Sequence, residues 1–173
     1  MTISMHGASV PVLLRMLGNL DQWLEKAQAH AESRGFDAAN YLALRLAPDM
    51  LPFASQVRIA TDMARLTLVR LGGGDFPRYA DDETTLAALS DRVKKTIGFV
   101  QAFPPAQIDG SAAREVVHPQ RSGEPLRFTG ATFLQRWALP NFFFHVTTAY
   151  ALLRHAGVDL GKADYLGPLT APT

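Results

Sequence analysis

Apolar positions recur with a helical period over four long stretches of this chain. The first runs from about Ser9 to Ser33 and carries Val12, Leu13, Met16, Leu17, Leu20, Trp23, Leu24 and Ala27 on one stripe, the spacing of a helix that buries one face. Ser9 stands where an N-cap is expected, Pro11 falls in a tolerated first turn, and Gly35 stands where a helix stops. A short connection, Phe36 to Met50, holds Asp37, Asn40, Pro48 and Asp49. The second stretch, from about Leu51 to Leu71, places Phe53, Gln56, Val57, Ala60, Ala64 and Leu68 on or beside one face, and Gly72-Gly73-Gly74 stops it. That triplet follows a helix, and no Gly-Lys-Ser/Thr follows it. It therefore reads as a loop or hinge and not as a phosphate cradle.

The third stretch runs from about Thr84 to Phe103, with Leu86, Leu89, Val93, Ile97 and Val100 in register. Asp81 and Asp82 precede it, where the helix dipole favours acids, and Pro104-Pro105 ends it. The period then changes. Arg114 to His118 and Pro125 to Thr129 flank Gln120-Arg121-Ser122-Gly123-Glu124, the pattern of a hairpin. The fourth helix spans about Gly130 to Ala156, and Gly157-Val158 suit a Schellman stop. Pro140 lies inside it and predicts a kink or a local break. The tail from Val158 to Thr173 shows neither period. Together these elements predict an all-α, up-down four-helix bundle with a small β-hairpin between the third and fourth helices. It forms one domain over residues 1–173, with the tail from about 158 packed on it.

Composition narrows the function classes. The 173 residues are 47% hydrophobic and 19% charged, with a formal net charge of +1, so no electrostatic footprint for nucleic acid or an anionic membrane stands out. Apolar runs are broken well short of the roughly 18 residues that cross a bilayer. The opening residues lack a basic segment followed by an apolar one, so no signal peptide is read. The chain has no cysteine, which rules out disulfides, thiolate ligands and a cysteine nucleophile. A cytoplasmic protein without nucleic-acid or membrane partners is the expectation.

Three polar residues fall on core-facing stripes. Asn141 and His145 sit four residues apart and share a face of the fourth helix with Leu134, Ala138, Ala149 and Leu152. Gln56 lies on the buried face of the second. Each needs a partner, because an unpaired buried polar group costs about 1–3 kcal/mol. The partner is a metal, a ligand or another side chain. Elsewhere, His30 and His155 are explained by the preference for cations at helix C-termini. His118 reads as a hairpin loop residue. Consecutive Phe142, Phe143 and Phe144 cannot all enter one core, so one of them faces another surface, and a homodimer is expected on that ground. Arg154, Lys162 and Asp164 are expected to tie the tail to the last helix. No Ser-His-Asp order is convincing.

The ending Leu152-Leu153-Arg154-His155-Ala156-Gly157-Val158 resembles the last helix of the DinB/YfiT-like superfamily of four-helix bundles, a group regarded as candidate metalloenzymes. In that superfamily a His on the second helix and a His-x-x-x-His pair on the last bind a divalent metal. The resemblance implies that His145 stands at the second His of the pair, Asn141 at the first and Gln56 near the second-helix ligand. Ala47-Pro48-Asp49-Met50-Leu51-Pro52-Phe53-Ala54-Ser55-Gln56, the run Pro140 to Tyr150 and the run Gly157 to Gly167 resemble, more narrowly, a branch of that superfamily classed as a domain of unknown function. The resemblance covers nearly the whole chain.

The departure from the superfamily's pattern shapes the functional expectation. Three imidazoles suit zinc, nickel or iron, whereas a Gln, an Asn and one His do not, amides being weak oxygen donors. Asp49 or Asp62 would have to supply a carboxylate. The favoured reading is a small-molecule-binding bundle with a degenerate metal site, its pocket drawn from Gln56, Asn141, His145, Asp49 and Tyr150 and holding no metal. Two alternatives stay open. One is a divalent-metal-dependent enzyme resembling the superfamily's thiol-dependent transferases, with His145, Asn141 and Gln56 as ligands. The other is a non-catalytic structural protein in which the cluster only specifies packing.

Overall fold

The computed structural model describes residues 3–120 and 122–168; Arg121 of the expected hairpin turn and residues 169–173 of the expected tail lie outside the described residues. Helix α1 spans Met5–Arg34. It begins a turn earlier than the apolar stripe suggested, because Ser4 and not Ser9 is the cap: its Oγ accepts from Gly7 N–H at 3.1 Å. Ser9 is buried within the helix and donates to the Met5 carbonyl at 2.7 Å, and Pro11 therefore sits in the second turn. Gly35, at φ 71°, ends the helix in the left-handed conformation expected of it.

The connection is more structured than its sequence implied. A 3₁₀ turn, Ala38–Ala43, is capped by Asp37 and buries Tyr41. Helix α2 spans Phe53–Gly72 and α3 spans Leu86–Gln101. Thr85 acts as the cap of α3, accepting from Ala88 N–H at 3.1 Å, which places the helix start just after the expected Thr84. Pro104-Pro105 both ends α3 and opens a single turn, α4, Pro105–Ile108. The hairpin then forms from β1, Glu115–His118, and β2, Leu126–Thr129, paired antiparallel with Glu115 opposite Thr129 and His118 opposite Leu126.

The fourth long helix is continuous but not uniform. It comprises α5, Gly130–Phe133, a π turn, Leu134–Ala138, and α6, Leu139–His155. The defect expected at Pro140 is thus a widened turn and not a break. Leu139 N–H reaches back five residues to the Leu134 carbonyl, and Pro140, which has no N–H to give, rides exposed at the start of α6. At the far end Val158 N–H bonds the Leu153 carbonyl at 3.1 Å and Gly157 N–H the Arg154 carbonyl at 3.1 Å, the expected Schellman pattern. The tail contains a helix absent from the sequence reading, α7, Lys162–Leu166, with Asp164 Oδ2 accepting from Gly161 N–H at 2.7 Å.

α1 packs along α3, and α2 packs along both α6 and α3. One continuous core results, from Leu17, Leu20 and Trp23 through Phe53, Val57 and Leu68 to Leu89, Val93, Phe142 and Val146. The segment after α6 is tied to α6 by the Thr147 and Tyr165 hydroxyls, 2.7 Å apart, and to α1 by an ion pair and two side-chain hydrogen bonds. Lys26 pairs with Asp164 at 2.7 Å, Asn19 Nδ2 donates to the Tyr165 carbonyl at 2.8 Å and Trp23 Nε1 to the Asp164 carbonyl at 3.2 Å. Arg154 and Lys162 form no ion pair among the described residues, so the expected tie to the last helix is corrected on those two positions. Among the described residues no helix is long and apolar enough to cross a membrane.

Candidate functional site

The α2–α6 contact brings Gln56 and His145 together. Gln56 is 1% exposed, and its Oε1 lies 2.7 Å from His145 Nδ1. Its Nε2 donates to the Leu51 carbonyl at 2.9 Å, just before the helix begins. These contacts fix which atom is which. A carbonyl only accepts, so the Gln56 amino group must face Leu51 and its oxygen must face His145. The oxygen in turn only accepts, so His145 carries its proton on Nδ1 and Nε2 is left with a lone pair. Burial lowers the His145 pKa, which keeps the ring neutral at pH 7.

Nε2 forms no hydrogen bond among the described residues, and it is not one of the solvent-sealed polar atoms without a partner. It is therefore not sealed from solvent. Phe144 stands beside it, its ring edge-on at 5.2 Å between centroids, and is 56% exposed. Phe142 enters the core and Phe143 is half-buried, so the run of three phenylalanines divides as its length required.

Asn141 does not join the Gln56–His145 pair. Its Nδ2 donates to the Trp137 carbonyl at 2.7 Å, one turn back within the π turn. Its Oδ1 has no partner among the described residues and is likewise not sealed from solvent. The expected three-membered cluster is thus a bonded pair with a neighbouring amide one turn away. Asp49 is exposed and makes no hydrogen bond with any of the three. Tyr150 packs on Trp23 at 5.4 Å and on Tyr165 at 5.5 Å, on a different part of α6.

The residues present do not fit the divalent metal that the superfamily resemblance implies. Gln56 Oε1 is spent on Nδ1–H, Asn141 Nδ2 on a backbone carbonyl, and a single imidazole nitrogen remains. Asp62, the other carboxylate considered, is committed elsewhere, bonding Arg65 and, at 2.8 Å, Arg92. Among the described residues no group of three His, Cys, Asp or Glu side chains is placed to hold a metal ion. Structural zinc is held by four protein ligands and catalytic zinc by three.

Sequence reasoning missed a buried arginine network. Arg65 and Arg92 are 1% and 4% exposed. Arg92 bonds Thr61 Oγ1 at 2.8 Å, Asp62 at 2.8 Å, Glu83 at 2.9 Å and Asp81 at 3.0 Å. Arg65 bonds Asp62 and the Pro77 carbonyl, and its guanidinium stacks on Tyr79 at 3.5 Å. Burial alone pushes the Glu83 carboxyl up, but hydrogen bonds from Arg92 and Arg58 outweigh it and hold the pKa below its ordinary value. The network straps the segment between α2 and α3 across both helices. The available signal was the i, i+4 stripe Thr61–Arg65, which continues a core face.

Two further histidines make contacts that their spacing did not reveal. His30 Nδ1 lies 2.5 Å from the Tyr41 hydroxyl instead of serving only as a helix-end cation. His118 ends β1 with its ring 4.0 Å from that of Trp137, and its Nδ1 is sealed from solvent without a partner.

Comparison with known proteins follows the same lines. Residues 5–166 match the sequence profile of a domain of unknown function, DUF1993. The fold superposes on the crystal structure of a DinB family member protein from Shewanella denitrificans with a TM-score of 0.86 and 39% sequence identity, covering 96% of this chain and 95% of that one. A search of curated proteins gives no match.

Proposed function

The chain belongs to the DUF1993 family and is a DinB-like helical bundle, and for this member we propose a small-molecule-binding role at the face formed by Gln56, Asn141 and His145. One observation carries the reading. His145 presents an unprotonated Nε2 to solvent, with its tautomer set by Gln56, next to the unpartnered Oδ1 of Asn141. A packing cluster needs only the satisfied atoms, Gln56 and His145 Nδ1. The two free acceptors are left over from packing and suit a ligand. The reading as a metal-dependent transferase resembling those of the superfamily is less favoured, since no group of three His, Cys, Asp or Glu side chains among the described residues is placed to hold a metal ion.

Thermal-shift screening of a small-molecule library against wild type and His145→Ala tests the role. Compounds that raise the melting temperature of wild type are expected to leave the variant unmoved. Compounds that stabilise both equally would contradict the site, and so would binding only in the apolar groove of about 340 Å³ between α1 and α3, lined by Leu24, Gln28 and Leu86.

The exposure of Phe144 favours a second reading alongside the first: two copies associate through this face, so that the partner closes the site. Sedimentation velocity is expected to show a dimer that Phe144→Asp dissociates. A monomeric wild type would contradict it.

A further inference from the structure

Two acceptor atoms at this face, His145 Nε2 and Asn141 Oδ1, have no partner among the described residues and are not sealed from solvent. Nε2 of His145 has no proton, because Gln56 Oε1 at 2.7 Å requires the proton on Nδ1 and the Leu51 carbonyl, 2.9 Å from Gln56 Nε2, forbids the amide from turning round. Oδ1 of Asn141 is free because the Trp137 carbonyl, at 2.7 Å, holds the amino side of that amide. Residues one helical turn apart have Cβ atoms about 5–6 Å apart, close enough for one small molecule to meet both. Phe144, 56% exposed and edge-on to the imidazole, supplies an apolar wall. Each orientation is enforced by a backbone carbonyl, which cannot change role, so the acceptor pair is a property of the fold and not of a chosen rotamer.

We propose that this site takes small molecules that present hydroxyl or amine donors on an apolar body and rejects carboxylates and other anions; the proposal rests on the binding role given above. An anion would bring acceptors to acceptors, and each displaced water would go unreplaced. A donor replaces water bonds one for one. Gln56 is the positioning residue: it touches no ligand, and it selects the atom that His145 offers.

Nitrogen-15 NMR of the histidine rings in the full chain, read at pH 7.5 with benzyl alcohol, benzylamine and sodium benzoate as probes, tests this directly. The free protein is expected to show His145 as the single Nδ1–H tautomer. Benzyl alcohol and benzylamine are expected to shift Nε2 saturably, benzoate is not, and Asn141→Leu weakens the response about tenfold, the loss of one hydrogen bond. Gln56→Met is expected to give a mixture of tautomers while the remaining spectrum stays dispersed. An Nε2–H tautomer in the free protein, a benzoate response matching that of benzyl alcohol, or a single Nδ1–H tautomer in Gln56→Met would overturn the donor rule. An Nδ1–H tautomer with silence toward all three probes would instead overturn the binding role itself.

Discussion

At the scale of single residues, the account turns on a glutamine whose two ends are both used. Gln56→Met keeps the length of the side chain but strands His145 Nδ1–H and the Leu51 carbonyl, both paired in the native protein. The expected loss is about 1–3 kcal/mol, read from urea denaturation. His145 also gives stability a pH dependence. Burial lowers its pKa from the ordinary 6.5, so the folded state binds a proton less readily than the unfolded chain. The stability is fully present above pH 6.5 and is lost as pH falls through the lower, folded value. His118 is shifted in the same direction, by burial and then by Arg70. Urea midpoints between pH 7.5 and pH 5 should therefore fall less steeply in His145→Asn than in wild type; equal slopes would assign the whole effect to His118. The sequence made Gln56 and His145 legible, since both lie on apolar stripes. It could not show that Asn141 turns away. Its amino group donates to the Trp137 carbonyl within the π turn, and side-chain periodicity carries no information about such bonds to the backbone.

At the scale of elements, the four long helices were readable because each buries a stripe, but their ends were set by local chemistry. Ser4 won over Ser9 as a cap because the helix could extend a further turn before meeting an oxygen free to accept from it. The short turns at Ala38–Ala43 and Lys162–Leu166 were invisible because elements of five or six residues span no more than two turns, too few for an apolar stripe to recur. Glycines separate two kinds of position. A Cβ at Gly130 would stand 2.1 Å from the Ser111 carbonyl oxygen, where α5 crosses the turn before β1. A Cβ at Gly98, within α3, meets nothing within 4 Å. Gly130→Ala is expected to cost about 1–3 kcal/mol by overpacking. Gly98→Ala is expected to add about 0.4–1 kcal/mol by restricting the unfolded chain. Paired thermal melts read the two signs, and stabilisation by both would contradict the close approach.

At the scale of the whole molecule, the bundle is held by an apolar core and by a charged strap on one side. The strap was illegible because arginines are ordinarily read as surface residues, whereas Arg92 is 4% exposed and bridges Asp62, Asp81 and Glu83. Arg92→Met leaves Glu83 part-buried with only Arg58 to answer it, and about 3 kcal/mol or more is expected to be lost. Glu83 adds an acid limb: its lowered pKa stabilises the fold above pH 4.5, and that contribution disappears as pH falls through the folded value. Calorimetry of the variant across pH 3 to 7 reads both effects, and a flattened acid limb is the expected signature.

The contact between α2 and α6 carries the site. The central claim there is that the positions that resemble the superfamily's metal ligands hold a hydrogen-bonded glutamine–histidine pair with one imidazole nitrogen to spare. Metal content decides it most directly, measured by inductively coupled plasma mass spectrometry on untagged protein after incubation with excess zinc, nickel and iron(II) and passage over a desalting column. The account predicts far less than one metal per chain, with no difference between wild type and His145→Ala. Near-stoichiometric metal in wild type that is lost in His145→Ala would contradict it.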